Sequence, residues 1–336
     1  MMGPFSDFPE SRLAKARVNF STSGGVSPSP GFPPRVPRIP DMDWMSATPQ
    51  KFRIANIGLS HHPPGPRYLG AGRVAGQRVI LTFVSKHGQL AEKQWFETWF
   101  GSPYYEVLYL HRNDHEAKGF VDHLVEYLHC PPGATLLDVA SGSGRHAREF
   151  ALHGLEVTGI DLSSRNVQHS RPRESEMLSF YLHDMRRYFR IHYFDYVVNI
   201  FTSFGYFETQ RDNELALRTM AKALKPEGTL VLDFLNTGFV SSHLVENEVK
   251  VIRGVQFVIH RKLEEGRFIK KIEVYDASKL VKEKFEERVI AYSLRDFETL
   301  FGQEKLRITG TFGDYDLRPF DEANSPRLIL VANPMP

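Results

Sequence analysis

The chain has 336 residues, of which 41% are hydrophobic and 24% charged, and a net charge of +2, which allows one large domain or two ordinary ones. No apolar run approaches the roughly 20 residues that a membrane-spanning helix requires, so the pattern excludes an integral helical membrane protein. Cys130 is the single cysteine, which excludes an intrachain disulfide and is typical of a reducing compartment, so we expect a cytoplasmic protein.

Residues 1–90 differ in composition from the rest of the chain. They hold 11 basic and 4 acidic residues and 12 of the 21 prolines, against 31 basic and 36 acidic residues in the remainder. Such a segment buries too little apolar surface to offset its ordering entropy, so we expect a disordered or non-native N-terminal extension. An organellar transit peptide is the disfavoured alternative, since no clear amphipathic helix accompanies the arginines. Without a folded basic face, we expect no nucleic-acid partner.

Residues 91–132 have the pattern of helices. Aromatic residues recur at helical spacing between positions 95 and 109, and the apolar residues of one helix face follow from position 117 to position 128. A Pro-Pro-Gly sequence at 131–133 then ends the second helical pattern. We expect these helices to form an N-terminal lid, in which Tyr104, Tyr105 and Tyr109 either cover a ligand or pack in the core.

From residue 133 to 336, short apolar strands alternate with helices. Strands are expected at 135–139, 155–160, 179–182, 194–201 and 229–234, and a Lys-Pro-Glu-Gly sequence at 225–228 ends the helix before the last of these. This alternation predicts a Rossmann-like α/β fold, in which a doubly wound, mainly parallel sheet has helices on both faces. Strands at 306–311 and 327–332 complete seven, and ligands of such sheets bind at the carboxyl ends of the strands.

A different pattern interrupts this domain at about residues 245–292. Residues 250–261, 268–276 and 285–292 alternate polar and apolar side chains, as half-buried antiparallel strands do. We predict a small antiparallel β insertion that governs substrate choice and self-association, in a protein that is a monomer or a homodimer. Charge reversal at Lys270 and Lys271, inside the insertion, is expected to leave binding of the main domain's ligand unchanged.

The strongest local signal is residues 136–144 (LLDVASGSG), a strand that runs into a glycine turn at the start of a helix. Glycines allow a ligand to approach the backbone closely, and a helix N-terminus presents free amides and positive potential. With Ala147 the segment also satisfies the G-x-G-x-x-A fingerprint of dinucleotide-binding proteins. The turn therefore predicts a nucleotide-like cofactor without deciding which one.

Three carboxylates at the expected strand ends separate the candidate cofactors. Asp138 lies before the turn, where it suits the ammonium of an amino-acid-like ligand and repels a pyrophosphate. Asp161 ends the second strand and can accept from both hydroxyls of a ribose, unless it or Ser163 simply caps the following helix. Asp184 follows the third strand and can accept from an adenine amino group. Together they favour a cationic sulfonium ligand over an anionic dinucleotide.

Four segments, in this order and spacing, resemble the motifs of class I S-adenosylmethionine-dependent methyltransferases. Residues 137–144 (LDVASGSG) resemble the first motif and residues 159–163 (GIDLS) the acidic second motif. Residues 194–198 (FDYVV) and 223–234 (ALKPEGTLVLDF) resemble the motifs of the fourth and fifth strands. The resemblance covers roughly residues 95–332. The aromatic N-terminal helices, residues 202–207 (TSFGYF) and the inserted strands are similar to the small-molecule enzymes of the methyltransferase-25 type.

This resemblance implies S-adenosylmethionine as the cofactor and a set of contacts to it, carried over by matching position. The implied contacts are Asp138, Ala140, Gly142 and Gly144 at the methionine end, Asp161 at the ribose, Leu162 against the adenine, Asp184 and Met185 at its edge, Asn199 and Phe201 on the floor beside the sulfonium, and Tyr104 in the lid.

The implied reaction is in-line transfer of a methyl group to a nitrogen, oxygen or carbon atom of a small molecule, which depends mainly on positioning and water exclusion. No catalytic base stands out, and Tyr206, Glu208 and His111 are only candidates. The spacing of the histidines indicates no metal site. Two alternatives stay open: an NAD(P)-dependent oxidoreductase, and a non-catalytic module that binds S-adenosylmethionine without turnover.

Overall fold

Two β-sheets organise the part of the chain that the structure, a computed structural model, describes: residues 94–110 and 114–336. The expectations for residues 1–90 and for His111 lie outside the described residues. Within those residues, no helix is both long and apolar enough to cross a membrane.

The larger sheet has seven strands in the order β10-β11-β5-β4-β1-β2-β3. The four pairings among β1 to β5 are parallel, while β11 runs antiparallel to both β5 and β10. This arrangement confirms the predicted seven-stranded, mainly parallel sheet. Its strands are Thr135–Val139 (β1), Glu156–Asp161 (β2), Leu178–Leu182 (β3), Phe194–Asn199 (β4), Leu224–Leu235 (β5), Leu306–Phe312 (β10) and Arg327–Pro334 (β11).

The smaller sheet has four antiparallel strands in sequential order. Its strands are Asn247–Ile252 (β6), Val255–Glu264 (β7), Arg267–Asp276 (β8) and Val281–Ile290 (β9). The predicted antiparallel sheet is confirmed, but the single strand expected over residues 250–261 is wrong. The chain reverses at Arg253 and Gly254, whose φ angles of 51° and 80° are both left-handed, as a two-residue hairpin turn requires.

The described helices lie mostly where apolar periodicity predicted them. Ser163, Thr209 and Ser293 each cap the helix that follows by accepting a backbone N–H. A short helix capped by Asn236 was not expected. The helices are Trp95–Phe100 (α1), Pro103–Leu108 (α2), Asp114–Leu128 (α3), Arg145–Leu152 (α4), Ser164–Ser170 (α5), Gln210–Ala223 (α6), Thr237–Ser242 (α7) and Leu294–Gln303 (α8), with a 3₁₀ turn at Arg171–Arg173.

The Lys-Pro-Glu-Gly sequence at 225–228 ends helix α6, but it is extended rather than a separate turn. Strand β5 begins at Leu224, directly after α6, and pairs there with Phe194. The next pair is Tyr196 with Thr229, so the segment between them bulges out of the ladder. The strand expected at 229–234 is therefore the second part of a longer strand.

Alternate residues of the central strands enter two different cores. Leu136 of β1 and Val198 of β4 pack with residues of α3 and α4, such as Phe120 and Phe150. Their neighbours Leu137 and Val197 point to the opposite face and pack with residues of α6 and α8. Because every second residue faces each core, the sheet is covered by helices on both sides, as the doubly wound fold requires.

A third core joins helices α1 and α2 to the smaller sheet. Trp99 and Leu108 are fully buried against Phe257, Ile272 and other apolar residues of β7 and β8. The N-terminal helices therefore rest on the insertion, and their remaining faces are free to line a site beside the larger sheet.

Candidate functional site

A cavity of about 320 Å³ lies at the carboxyl ends of strands β1, β2 and β4. Its walls are the glycine turn after β1, the residues after β2, the segment after β4 and the inner faces of α1 and α2. The carboxyl ends of parallel strands meet at one edge of the sheet, which is where α/β folds of this type bind ligands. The cavity is therefore the candidate cofactor and substrate site.

The glycine turn owes its shape to three residues with left-handed backbone. Ala140, Gly142 and Gly144 have φ angles of 60°, 56° and 77°, and Gly144 is the N-cap of α4. A Cβ atom on Gly144 would lie 2.4 Å from Cζ of Phe180, so only glycine fits there. Ala140 and Gly142 line the cavity. Gly144 is not among the lining residues and packs against Phe180 on the other side of the turn.

Asp138 is the most perturbed carboxyl group of the cavity. It is 2% exposed, lines the cavity, and has one oxygen, Oδ2, that is buried without a hydrogen-bond partner among the described residues. Burial, and next the negative charge of Asp161, raise the pKa of Asp138 to about 8, although a hydrogen bond from the Ala147 backbone N–H and the charge of Arg145 act in the opposite direction. A buried carboxyl oxygen without a donor suits a ligand that brings a cationic N–H group to it.

Asp161 ties the glycine turn to the end of β2. Its Oδ2 accepts the Gly142 N–H at 2.9 Å, and its Oδ1 accepts the Ser163 N–H at 2.8 Å. Burial raises the pKa of Asp161, although these donors act against the rise. The side chain of Ser163, not that of Asp161, caps α5 by accepting the N–H of Asn166. Asp161 lines the cavity, and its contact with a ribose stays a prediction.

The lid contributes Tyr105 and Tyr109 to the cavity wall, along with Phe100. Tyr104, the lid residue implied as a cofactor contact, is not among the lining residues. It is 4% exposed, and its hydroxyl donates to Asp276 of the smaller sheet at 3.2 Å. Of the three tyrosines considered from the sequence, Tyr105 and Tyr109 line the cavity and Tyr104 does not. Tyr105 and Tyr109 are four residues apart and so share a helical face.

The lid is held to the smaller sheet by buried polar side chains. Glu287 accepts the Trp99 indole N–H at 2.6 Å and the Tyr109 hydroxyl at 2.8 Å, and Lys270 donates to the same hydroxyl. Lys270 is completely buried, 3.7 Å from Glu287. The expectation that charge reversal at Lys270 spares the main domain is therefore physically unsound, because the change would bury two carboxylates beside a cavity-lining tyrosine.

The residues expected at the adenine edge occupy different surroundings. Leu162 lines the cavity and is 36% exposed, whereas Asp184 and Met185 are not among the lining residues. Burial acts to raise the pKa of Asp184, but hydrogen bonds from Arg186, one of them 2.7 Å long, hold that pKa below its ordinary value. The Met185 carbonyl accepts the Thr219 hydroxyl. Their contacts with adenine stay predictions.

The floor of the cavity is the segment that follows β4. Phe201 lines the cavity, and the Arg145 guanidinium lies 5.0 Å from the centre of its ring. Asn199 is fully buried behind the floor, where its amide donates to the Val139 carbonyl at 3.0 Å, and it is not a lining residue. Tyr206 also lines the cavity, whereas the side chain of Glu208 is 78% exposed and outside it.

The charges of the cavity are mostly negative. Among the described lining residues, the acidic side chains of Glu97, Glu106, Asp138 and Asp161 outnumber the single guanidinium of Arg145, and Asp138 adds its negative charge only when a cationic partner ionises it. His146 adds no charge at neutral pH, because burial, and next the charge of Arg145, lower its pKa well below the ordinary value. Such a cavity attracts a cationic ligand, and Asp138 disfavours a pyrophosphate beside the glycine turn. Among the described residues, no group of three or more acidic, His or Cys side chains could hold a metal ion.

Comparison with known proteins points to one family. A family model described as a methyltransferase domain matches residues 136–228. The chain is 30% identical over 131 residues to the dTDP-3-amino-3,4,6-trideoxy-alpha-D-glucopyranose N,N-dimethyltransferase of Streptomyces venezuelae, a match that covers 37% of this chain and 55% of that protein. It is 34% identical over 107 residues, covering 31% and 41%, to the dTDP-3-amino-3,6-dideoxy-alpha-D-glucopyranose N,N-dimethyltransferase of Streptomyces fradiae. The chain thus matches about half the length of these curated relatives.

Among solved structures, the CcbJ methyltransferase from Streptomyces caelestis superposes with a TM-score of 0.60 at 16% identity, over 71% of this chain and 99% of that one. Streptomyces venezuelae DesVI superposes with a TM-score of 0.51 at 24% identity, over 69% and 97%. At these identities the likeness is one of fold. The family match covers the strands and the glycine turn that form the cavity, and residues 136–228 are therefore identified as a methyltransferase domain that is similar to the class I S-adenosylmethionine-dependent enzymes of the methyltransferase-25 type.

Proposed function

We propose that this protein transfers a methyl group from S-adenosylmethionine to an amino group of a small molecule, and that the acceptor is an amino sugar joined to a nucleotide. The observation that carries the proposal is the buried Asp138 carboxyl group, whose Oδ2 has no partner among the described residues of an otherwise packed wall. The comparisons support the acceptor class, since the curated relatives include three named as N,N-dimethyltransferases of dTDP-linked aminodeoxy sugars.

The residues present fit S-adenosylmethionine. Asp138 would hold the amino-acid ammonium and Asp161 the ribose, while Gly142 keeps the turn free of side chains. When bound, the cofactor supplies an electrophilic methyl group on a sulfonium, whose thioether leaves without protonation. The aromatic rings of Phe100, Tyr105 and Phe201 line the cavity, where they would limit the access of water and attract a cation.

Among the described lining residues, Asp138 has the raised pKa of a base but is assigned to the cofactor ammonium, and His146 and Tyr206 are poorly suited to that role, which favours nitrogen as the acceptor atom. A hydroxyl acceptor needs a group that takes its proton during attack, whereas a neutral amine attacks through its lone pair. His146 lines the cavity, but its lowered pKa makes it a poor proton acceptor. The Tyr206 hydroxyl donates to the Thr202 carbonyl and is thus turned toward the backbone. The carboxylates Glu97 and Glu106 at the lid would attract an acceptor that carries an amine.

A matched pair of acceptors tests this proposal. The full chain is incubated with methyl-labelled S-adenosylmethionine and a dTDP-aminodeoxy sugar, and separately with the same sugar nucleotide carrying a hydroxyl in place of the amine. We expect labelled product by mass spectrometry from the amine alone, together with S-adenosylhomocysteine. Equal labelling of the hydroxyl compound would refute nitrogen as the acceptor.

The two alternative functions, a non-catalytic binding module and an oxidoreductase, are distinguished by the same incubation and by calorimetry. Cofactor binding without any product, over a panel of amines, would favour the non-catalytic module. Tighter binding of NAD(H) or NADP(H) than of S-adenosylmethionine, measured by calorimetry, would favour the oxidoreductase. The Asp138 carboxyl group beside the glycine turn supports S-adenosylmethionine over both dinucleotides as the cofactor, because it suits an ammonium and would repel a pyrophosphate bound at that turn.

A further inference from the structure

The cavity floor contains two successive residues in a left-handed backbone conformation. Phe201 and Thr202 have φ angles of 72° and 54°, at the point where the chain leaves β4. Neither is a glycine, and Thr202 is β-branched, so this conformation is sterically costly. Strained backbone persists where the surrounding structure holds it, and such positions cluster at functional sites.

Asp233, on the neighbouring strand β5, holds this reversed segment. Its Oδ2 accepts the Phe201 N–H at 2.7 Å, and its backbone carbonyl accepts the Thr202 N–H at 3.0 Å. The Tyr315 hydroxyl donates to the same Oδ2 at 3.1 Å. Asp233 is completely buried. The side chain thus accepts two donors on Oδ2 and keeps Oδ1 for a further donor.

Arg327, from strand β11, carries the charge opposite to that of Asp233 and makes a second contact with residues 201 and 202. Its Nε donates to Oδ1 of Asp233 at 2.8 Å, and its Nη2 donates to the Thr202 hydroxyl at 2.9 Å. The guanidinium carbon lies 5.9 Å from the centre of the Phe201 ring. Arg327 is buried, and neither it nor Asp233 lines the cavity.

We propose that Asp233 and Arg327 are positioning residues for methyl transfer, which set the place of the Phe201 ring by fixing the backbone of residues 201 and 202. This inference rests on the proposed function. The ring forms part of the floor on which the reacting groups must be aligned, and small displacements of such a surface reduce turnover strongly. A residue that acts in this way changes the rate of the bound complex more than it changes cofactor affinity.

The test replaces both charges at once, so that no uncompensated charge is left buried. The double variant Asp233→Leu/Arg327→Met is expected to fold, since apolar replacement of a whole buried pair is commonly tolerated. We expect its kcat on the amine acceptor to fall at least about tenfold, with the dissociation constant of S-adenosylmethionine within about threefold of wild type. An unchanged kcat in a folded double variant would overturn the proposal.

A matched control lies at the opposite end of β5 and of its neighbour β4. Asp195 of β4 accepts the Thr135 N–H at 2.9 Å and pairs with Lys225 of β5 at 2.8 Å, far from the floor. The double variant Asp195→Leu/Lys225→Met therefore also removes an ion pair that holds a backbone amide. We expect it to lower the melting temperature without lowering kcat. An equal loss of kcat in both double variants would show that the effect is general destabilisation, and the positioning role would be wrong.

The hydrogen-exchange rate of the Phe201 amide measures how firmly the backbone of residue 201 is held, and it does not depend on turnover. We expect this amide to exchange at least about tenfold faster in the Asp233→Leu/Arg327→Met variant than in wild type or in the control.

No wild-type turnover on the amine would refute the proposed function, while unchanged exchange would refute the positioning role. If the double variant fails to fold, Thr202→Val removes only the hydroxyl that Arg327 reaches, and an unchanged kcat and exchange rate there would equally overturn the proposal.

Discussion

Binding of S-adenosylmethionine should release a proton from Asp138. With a pKa of about 8, the Asp138 carboxyl group is about nine-tenths protonated at pH 7 in the ligand-free protein. Pairing with the cofactor ammonium requires the ionised form, which the nearby positive charge then stabilises. We therefore expect the release of about 0.9 proton for each molecule bound at pH 7, a value that follows from the raised pKa alone.

Titration calorimetry in two buffers of different ionisation enthalpy measures this number, since the observed enthalpy changes in proportion to the protons released. S-adenosylhomocysteine should give the same value, because it shares the amino-acid moiety and lacks the sulfonium. The control is Asp138→Asn, which should release no proton. Equal observed enthalpies in both buffers for the wild type would show that Asp138 does not ionise on binding, and the placement of the ammonium would be wrong.

The raised pKa of Asp138 also determines whether the stability of the ligand-free protein rises or falls with pH. Asp138 titrates near 3.8 when unfolded and near 8 when folded, so the folded state keeps a proton that the unfolded state loses in between. Its contribution to stability is present below pH 3.8 and is lost as the pH rises toward 8, by up to about 1.4 kcal/mol per pH unit. The melting temperature of the wild type should therefore fall more steeply between pH 6 and pH 8 than that of Asp138→Asn.

Four further predictions follow from particular contacts. Asp161→Ala should weaken S-adenosylmethionine binding at least about tenfold in calorimetry, while Ser163→Ala, which removes only the helix cap, should leave it near wild type. Gly144→Ala should lower stability by about 2–4 kcal/mol through left-handed strain and collision with Phe180, whereas Gly133→Ala, at a φ of 82° with open space around it, should cost only about 1 kcal/mol in chemical denaturation. A chain that starts near Ala91 should fold and bind the cofactor like the full chain, and insolubility would show that residues 1–90 belong to the domain. Lys271→Glu, at an exposed position, should leave cofactor affinity unchanged while altering acceptor turnover or oligomer size, and Lys270→Glu should disrupt the fold as seen by circular dichroism.

The sequence predicted the central sheet well because its strands are short apolar runs between strong breaks. Strand β1 has the expected bounds, since Gly133 precedes it and the glycine turn follows it closely. The hairpin at Arg253 and Gly254 was missed for a physical reason. A two-residue turn shifts the inward-facing positions by one, and here Ile252 pairs with Val255 while Val251 is 69% exposed on the other face. In the sequence, however, the exposed Val249 and Val251 continue the odd-numbered apolar positions of the next strand, so they hide this shift. Periodicity alone cannot detect such a turn.

The sequence identified the site residues that belong to short motifs, and it missed those that only the fold brings into contact. Asp138 and Asp161 belong to recognisable strand-and-turn motifs, and both line the cavity. Asp233 and Arg327 are 94 residues apart, and no local pattern relates them. Tyr104 and Tyr105 are neighbours on one helix and point in directions about 100° apart. Which of them faces the cavity depends on the smaller sheet that covers the other, and that packing cannot be read from helical spacing.

The position of β11 between β5 and β10 has a consequence for the order in which the protein is made. Residues 230–235 of β5 hydrogen-bond to β11 along their whole length, and Arg327 is the first residue of that strand. Until the ribosome has released residues 327–334, β5 is an edge strand with an open ladder, and the Asp233 carboxylate lacks its partner guanidinium. A nascent or prematurely terminated chain would therefore expose an apolar edge that recruits other strands, so aggregation should precede any loss of cofactor binding as the sign of an incomplete chain.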